Sequence, residues 1–187
     1  MIELLKNSIP GLRDNWDKYK DLFKEIKVDS KTVLLREGEI AKKIFFIKEG
    51  CLRMSFYSKG KDITFQFFFE GQAVSSIESF SSSQPSQFAL EAIEPSTLIV
   101  VHKKDFENLQ KEYPEIRTGM QEILLQRFSR YAGLFLSFIK DTPQQRYLNL
   151  LQNEPHIIQR VPQHYIASYL GISPVSLSRI RKRIHGI

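Results

Sequence analysis

The 187-residue sequence predicts an α+β protein: an N-terminal β sandwich or jelly roll, a long helix, and a C-terminal helix-turn-helix. Three observations support this order. Short β-rich runs separated by turn residues fill residues 31–102. Apolar residues then recur at three- and four-residue intervals from Glu115 to Ile139, which is the spacing of one helix face. Near the C-terminus, Gly171 separates two short helical patterns. We therefore expect three parts, residues 1–114, 115–140 and 141–187.

The composition is that of an ordinary globular protein, with 42% hydrophobic and 26% charged residues. No apolar run approaches the ~20 residues that a membrane-spanning helix needs, so we expect no membrane partner. The first residues, MIELLKNSIPGL, lack the basic region and long apolar core of a secretory signal, which indicates a cytoplasmic protein. Cys51 is the only cysteine, which excludes an internal disulfide or an all-cysteine iron–sulfur site, and we expect no cofactor.

The N-terminal part combines one helix with several strands. Helical spacing over residues 4–26 predicts a helix that ends at a polar break. Three later breaks contain a Glu-Gly dipeptide, and glycine fits corners that need a positive φ. Seven or eight short strands at this spacing indicate an antiparallel sandwich or jelly roll. The clearest strands are Thr32–Leu35, Ile44–Ile47, Leu52–Tyr57 and Ile63–Phe69, followed by QFALEAIE and STLIVV.

The long helix carries an unusually wide and aromatic stripe. A short helix over Lys104–Tyr113 precedes it, and Asp141-Thr142-Pro143 ends it and provides a hinge before a helix over Gln144–Gln152. The stripe fits packing against the β domain, and it also fits a seam against a second copy of the chain. Its members are Met120, Ile123, Leu124, Phe128, Tyr131, Leu134, Phe135 and Phe138.

The C-terminal pattern has the corner chemistry of a helix-turn-helix. A helix over Gln163–Leu170 is followed by Gly171, at the position where a helix end needs a left-handed residue. Ser173 is a good N-cap, and Pro174 falls at the first helical position, where its missing N–H costs nothing. The sequence thus predicts a second helix that begins at Pro174.

A helical wheel divides this second helix into two faces. Leu177, Ile180 and Ile184 fall together and are expected to face the first helix. The other face suits the major groove of double-stranded DNA, because arginine can bind guanine bidentately and a valine methyl can meet a thymine methyl. Residues 156–187 contain five Lys or Arg and no Asp or Glu. A plain α-hairpin with a solvated basic face is the alternative. The outward residues are Val175, Ser178, Arg179 and Lys182, with Ser176 and Arg183 at one margin.

The stretch VPQHYIASYLGISPVSLSRIRKRI resembles the C-terminal helix-turn-helix of the cyclic-AMP receptor / fumarate-nitrate regulator (Crp/Fnr) superfamily, in a short form. The strands with their Glu-Gly corners resemble the cyclic-nucleotide-binding jelly roll of that superfamily, and the helix before Asp141 resembles its dimerisation helix. The resemblance implies a homodimeric transcription regulator that binds a palindromic operator with half-sites ~34 Å apart. It also implies RNA polymerase and a small-molecule effector as further partners. By resemblance, Arg179 reads a base, whereas Pro174 and Val175 replace charged base-contacting residues of the cyclic-AMP receptor.

Relatives that bind cyclic AMP hold the ribose with a glutamate and the cyclic phosphate with an arginine. In the matching segment, EGQAVSSIESFSSSQPSQFALEA, the glutamate position holds Ser76 and the arginine position holds Ser86 followed by Gln87. No Arg or Lys occurs between positions 61 and 103, so a buried phosphate would lack a charge-assisted partner. Glu78 lies nearby and would repel phosphate. We therefore expect a degenerate pocket without cyclic AMP, and a neutral or different ligand stays open.

Two alternatives keep part of this interpretation. One is a cyclic-nucleotide-responsive regulator with the same fold. The other is a jelly-roll enzyme, which would need several His or carboxylates converging from the strands. Only one histidine, His102, lies near that region, so we expect no enzymatic activity and no metal site. Cys51 is interpreted as a packing residue, with a redox role left open.

Overall fold

The structure is a computed structural model that describes residues 13–185, with side chains described through residue 184. The described residues divide into two compact units. The first, here the sheet unit, contains residues 13–54 and 67–125, and the second, here the helical unit, contains residues 55–66 and 126–185. The three parts expected from the sequence, residues 1–114, 115–140 and 141–187, stay predictions.

Eight strands form two four-stranded sheets, with strand orders β1-β8-β3-β6 and β2-β7-β4-β5. Every pairing with a described register is antiparallel. Strand β8 lies between β1 and β3 and is buried at six of its seven residues, which explains its continuous apolar sequence. The jelly-roll prediction is confirmed. The strands are β1 Lys24–Val28, β2 Val33–Leu35, β3 Lys43–Glu49, β4 Leu52–Ser58, β5 Lys61–Phe68, β6 Ala73–Val74, β7 Ala89–Ala92 and β8 Ser96–His102.

The glycines of all three Glu-Gly corners have positive φ, as the sequence predicts. At Gly50 the requirement is strict, because φ is +106° and a Cβ would lie 2.1 Å from the hydroxyl oxygen of Ser96. The corner follows a register shift between Ile47 and Glu49 in the β3–β8 ladder. The Gly50 N–H is satisfied by Glu70 Oε1 at 2.8 Å. This corner therefore admits only glycine without movement of β8.

The N-terminal helix prediction is wrong at its C-terminal end. Helix α1 spans Trp16–Tyr19, a 3-10 turn covers Lys20–Leu22, and β1 begins at Lys24. Residues 4–12 of the predicted helix lie outside the described residues. Strand β1 pairs with β8 from Lys24↔Val100 to Val28↔Ser96, so the backbone hydrogen bonds of this segment go to a neighbouring strand. The segment has helical spacing but forms a strand, because it pairs with β8, which is distant in sequence. Periodicity alone cannot detect such pairing.

The helices predicted after residue 102 are present at nearly the expected bounds, and the structure adds two more, α2 (Ile77–Ser82) and α6 (Pro155–Arg160). Glu115–Lys140 is one continuous helix, and Thr142 caps the next helix through a capping box with Gln145. The sequence does not predict α6, because Pro155 at its first position resembles a break. None of the helices among the described residues is long and apolar enough to cross a membrane. The helices are α2 Ile77–Ser82, α3 Lys103–Glu112, α4 Glu115–Lys140, α5 Pro143–Asn153, α6 Pro155–Arg160, α7 Gln163–Tyr169 and α8 Pro174–His185.

Candidate nucleic-acid interface and effector pocket

Helices α7 and α8 form the predicted helix-turn-helix. Gly171 at the corner has φ +69°, and the Ser173 hydroxyl caps α8 by accepting the Ser176 N–H at 3.1 Å. Pro174 is the first residue of α8, as expected. The predicted inward side chains Leu177 and Ile180 are buried, and Ile184 is half-buried. The apolar register of the two helices is therefore as the sequence predicts.

The opposite face of α8 is open to solvent and cationic. Val175 is 60% exposed, and Ser178, Arg179, Lys182 and Arg183 are also exposed. The structure thus brings five of the six predicted DNA-binding residues onto one accessible surface. We call this surface the α8 face; it consists of Val175, Ser178, Arg179, Lys182 and Arg183.

Ser176, the sixth predicted residue, lies at the margin of the α8 face. It is partly buried, and its hydroxyl lies 2.9 Å from that of Ser173, within the N-cap. Arg183 also has an intramolecular contact, since its Nη1 donates to Gln144 Oε1 at 3.3 Å. Arg179 and Lys182 extend from the middle of the face. A helix that carries guanidinium and ammonium groups without a carboxylate can enter a groove lined by phosphates.

The helix-turn-helix is fastened to the C-terminal half of α4 by residues that the sequence reading did not single out. Arg130 of α4 forms an ion pair with Glu154, between α5 and α6. The same guanidinium hydrogen-bonds Tyr169 at the end of α7, and burial raises the pKa of that phenol. Two opposite charges 24 residues apart give no local sequence signal, so this contact could not be predicted.

A second attachment joins α7 to the β4–β5 hairpin, whose tip belongs to the helical unit. Ser168 Oγ accepts the backbone N–H of Thr64 at 2.9 Å and donates to the carbonyl of Asp62 at 3.0 Å. Beside it, the Phe65 ring lies 5.1 Å from the Tyr131 ring of α4. The hairpin tip thus contacts both the long helix and the first helix of the helix-turn-helix.

The predicted apolar stripe on α4 separates into two faces. Tyr131 and Leu134 are half-buried within the helical unit, whereas Phe128 is 71% and Phe135 is 66% exposed. Ile139 continues this exposed row, and Ala132 lies between its members. We call Phe128, Ala132, Phe135 and Ile139 the α4 seam. Their spacing of four, three and four residues is the heptad spacing of paired helices.

The predicted pocket residues come together at the N-terminal end of α2. Ser76 and Ser86 are buried, and their hydroxyl oxygens lie 2.6 Å apart. Ser76 Oγ donates to Glu78 Oε1 at 2.6 Å, and the Gln87 N–H donates to the same carboxylate oxygen at 3.3 Å. Ser86 Oγ also lies 2.7 Å from the Phe88 carbonyl oxygen, and its single proton can be donated either to that carbonyl or to Ser76 Oγ. The four predicted residues therefore form one hydrogen-bonded cluster centred on an anion of the protein itself.

The sheet unit also contains a buried ion pair that the sequence does not predict. Arg53 is 3% exposed, and its Nε and Nη2 both lie 2.7 Å from Glu91 Oε1. Nearby in sequence, Cys51 is fully buried, in agreement with the packing interpretation. No group of three or more His, Cys, Asp or Glu within residues 13–185 is arranged to hold a metal ion.

The chain is similar to known proteins both in sequence and in fold. Residues 25–113 match the sequence profile of the cyclic nucleotide-binding domain. No curated protein sequence matches the chain. Among solved structures, a protein from Eubacterium rectale described as a crp/fnr-family transcriptional regulator aligns with a TM-score of 0.77 at 18% identity, covering 96% of this chain and 89% of that one. The regulator CLP from Xanthomonas campestris aligns with a TM-score of 0.76 at 16% identity, covering 93% and 92%.

FixK2 from Bradyrhizobium japonicum gives a TM-score of 0.75 at 16% identity, covering 88% of this chain and 85% of that one. These alignments cover 88–96% of this chain, which is more than the profile match over residues 25–113. The segment that contains β2–β8 is therefore similar in sequence to a cyclic nucleotide-binding domain. The chain as a whole has the fold of these solved regulators, so the resemblance drawn from the sequence is confirmed at the level of the fold.

Proposed function

We propose that this protein is a homodimeric transcription regulator that binds a palindromic DNA operator in the cytoplasm and does not require cyclic AMP. The observation that carries the proposal is the α8 face: an exposed, acid-free surface on the second helix of a helix-turn-helix. The likeness of fold to proteins described as regulators supports it. The fold alone does not establish function, so the surface chemistry carries the argument.

The α4 seam supports dimerisation. Its aromatic and aliphatic side chains are exposed on the single chain, and a contiguous exposed apolar row indicates a protein interface. A heptad-spaced row on a helix is covered well by the same row on a second copy, because a two-fold axis makes the contact self-complementary. Dimerisation would place two α8 faces at a fixed separation. A palindromic operator with half-sites ~34 Å apart is then expected.

The pocket argues against cyclic AMP. Glu78 already accepts hydrogen bonds from Ser76 Oγ and the Gln87 N–H, groups that a ligand anion would otherwise use. A cyclic phosphate at this position would displace or face a carboxylate, with neither Arg nor Lys in the segment from 62 to 102. Repulsion and uncompensated desolvation both oppose binding. A neutral or cationic effector fits the Ser76–Glu78–Ser86 cluster better than an anionic one.

A cyclic-nucleotide-responsive regulator is the second candidate, favoured by the profile match over residues 25–113. Calorimetry with cyclic AMP, cyclic GMP and cyclic di-GMP at millimolar concentration separates the two. We expect no saturable heat. A micromolar dissociation constant for one of these nucleotides would establish the second candidate instead.

Selection of DNA from a random pool with the purified protein tests the proposal itself. We expect enrichment of one palindromic sequence without any added nucleotide. Enrichment of a single unpaired half-site would contradict the dimer, and recovery of unenriched DNA would contradict sequence-specific binding. Transcription in vitro from the selected operator then tests whether the protein recruits RNA polymerase.

A further inference from the structure

One guanidinium joins the end of α4 to the corner of the helix-turn-helix. Arg146, in the first turns of α5, donates from Nη1 to the carbonyl of Asp141 at 2.8 Å. The same side chain donates from Nε and Nη2 to the carbonyl of Leu170, at 3.2 and 3.0 Å. Asp141 directly follows α4, and Leu170 caps α7 next to Gly171. Three N–H donors thus connect two backbone carbonyls that are 29 residues apart in sequence.

An aromatic ring completes this contact. The Phe138 ring, in the last turn of α4, lies 4.8 Å from the centre of the Arg146 guanidinium. The same ring packs against Gly171 so closely that a Cβ on Gly171 would lie 2.8 Å from Phe138 Cε1. The planar guanidinium therefore sits on a ring face while its edge binds both carbonyls, a combination that lysine does not reproduce. We call Phe138, Asp141, Arg146, Leu170 and Gly171 the hinge clamp.

The hinge clamp includes the turn that sets the direction of α8. Leu170 is four residues before Pro174, and the intervening turn is fixed by the positive φ of Gly171 and the Ser173 cap. A rotation of the helix-turn-helix about the Asp141–Thr142–Pro143 connection would separate the Leu170 carbonyl from the guanidinium. Such a rotation would also pull Gly171 away from Phe138. The contacts of Arg146 therefore hold the corner of the helix-turn-helix against the end of α4.

We propose that Arg146 is a positioning residue that sets the operator half-site spacing by fixing the angle between α8 and α4. The proposal rests on the DNA-binding dimer proposed above. In such a dimer, each α8 is directed by the α4 of its own chain, so a rigid clamp permits only one separation and one relative rotation of the two α8 faces. One added base pair moves a half-site by about 3.4 Å and about 34° around the DNA axis. A rigid protein cannot follow that movement, and a protein with a loose hinge can.

The test measures binding to a series of operators with identical half-sites and a central spacer lengthened or shortened by one and two base pairs. For the wild type we expect one optimal spacing, with a loss of ~5- to 150-fold elsewhere, the scale of one mismatched base pair. For Arg146→Ala we expect most of that penalty to disappear, because the charge-assisted hydrogen bonds to Leu170 are gone. Affinity at the optimal spacing should fall, since the two helices are no longer preorganised. Binding to a single half-site should stay unchanged.

Two further variants separate positioning from folding and from charge. Arg146→Lys keeps the charge without the planar fork, so its spacing profile should flatten as that of Arg146→Ala does. Lys140→Ala removes an exposed cation at the end of α4 that makes no hydrogen bond among the described contacts, and its profile should match the wild type. Circular dichroism melting identifies any variant that fails to fold.

The outcomes are distinguishable. A spacing profile of wild-type sharpness in both Arg146 variants overturns the positioning role while leaving the proposed function intact. An equal loss of affinity at every spacing and on the single half-site also overturns it, because Arg146 would then support stability or phosphate binding only. A wild type without any spacing preference contradicts the proposed dimeric function instead.

Discussion

The hydroxyl of Ser168, on the first helix of the helix-turn-helix, accepts the backbone N–H of Thr64 from the β4–β5 hairpin at 2.9 Å. It also donates to the Asp62 carbonyl two residues earlier in β5. One side chain thus satisfies a donor and an acceptor of a strand, as a neighbouring strand would. Because Thr64 is buried, its amide has little access to water as an alternative partner.

Replacing Ser168 with Ala should loosen the hairpin tip without unfolding the chain. At ~0.5–1.5 kcal/mol for each hydrogen bond of ordinary strength, the loss of two should cost ~1–3 kcal/mol. Hydrogen exchange followed by NMR or mass spectrometry should show faster exchange at Thr64. Ser178→Ala, on the exposed α8 face, is the matched control and should leave that amide protected. Unchanged exchange at Thr64 in Ser168→Ala would show that other contacts hold the hairpin.

The ion pair between Arg53 and Glu91 gives a larger expected effect. Both groups lie in the sheet unit, with side chains 4% and 16% exposed. Glu91→Ala removes a carboxylate from a buried guanidinium, and breaking a buried pair in this way typically costs ~3–5 kcal/mol. Urea unfolding monitored by fluorescence measures it. Glu25→Ala, which breaks the exposed pair with Lys48, should cost under ~1 kcal/mol. Equal effects of the two substitutions would mean that burial does not strengthen the Arg53–Glu91 pair.

Most features of the fold that could be predicted from the sequence come from local patterns. The Glu-Gly corners, the Pro174 helix start and the α4 stripe are each encoded within a few residues, so pattern alone located them. The β1 strand and the contacts of Arg53, Arg130 and Arg146 depend on partners distant in sequence. Partners that are distant in sequence do not produce a periodic pattern. A single charged residue among apolar ones is therefore expected to lie on the surface rather than in a buried contact. The α8 face was predictable because apolar and polar residues recur at helical spacing along α8, so the sequence alone separates the buried side of this helix from the exposed side.

The α4 seam predicts a specific oligomeric defect. Phe128→Glu should convert the dimer to a monomer at micromolar concentration, because two carboxylates would face each other across the two-fold axis. The phenyl ring is 71% exposed on the single chain, so the substitution should not weaken the fold itself. Multi-angle light scattering measures the mass. Ile40→Glu, at an exposed apolar residue outside α4, should leave the dimer intact. A Phe128→Glu protein that stays dimeric would place the interface elsewhere.

The contact between α1 and α3 predicts a pH dependence. Lys18 Nζ donates to Glu112 Oε1 at 2.8 Å, and Tyr19 donates to the same oxygen. The hydrogen bond from Lys18 holds the pKa of Glu112 below its ordinary value of 4.5. A lowered folded-state pKa stabilises the protein above the unfolded value, and this stabilisation disappears as the pH falls through the folded one. Glu112→Gln should therefore reduce the loss of melting temperature between neutral pH and that range. Glu122→Gln, on α4, serves as the control, and identical acid profiles for Glu112→Gln and the wild type would contradict the assignment.

On the α8 face, we expect Arg179 to read a base while Lys182 and Arg183 bind phosphates. Arg179 lies one turn into α8 and is exposed, whereas Arg183 lies at the margin and contacts Gln144. Arg179→Ala should weaken operator binding by ~1–3 kcal/mol and barely affect scrambled DNA, so specificity relaxes at one base pair per half-site. Lys182→Ala should weaken both DNAs alike and flatten the salt dependence, because each lost phosphate contact releases about one fewer counterion. Titrations of operator and scrambled DNA at two salt concentrations separate these roles. Equal weakening of both DNAs by Arg179→Ala would make this arginine a backbone contact and move base reading to another part of the face.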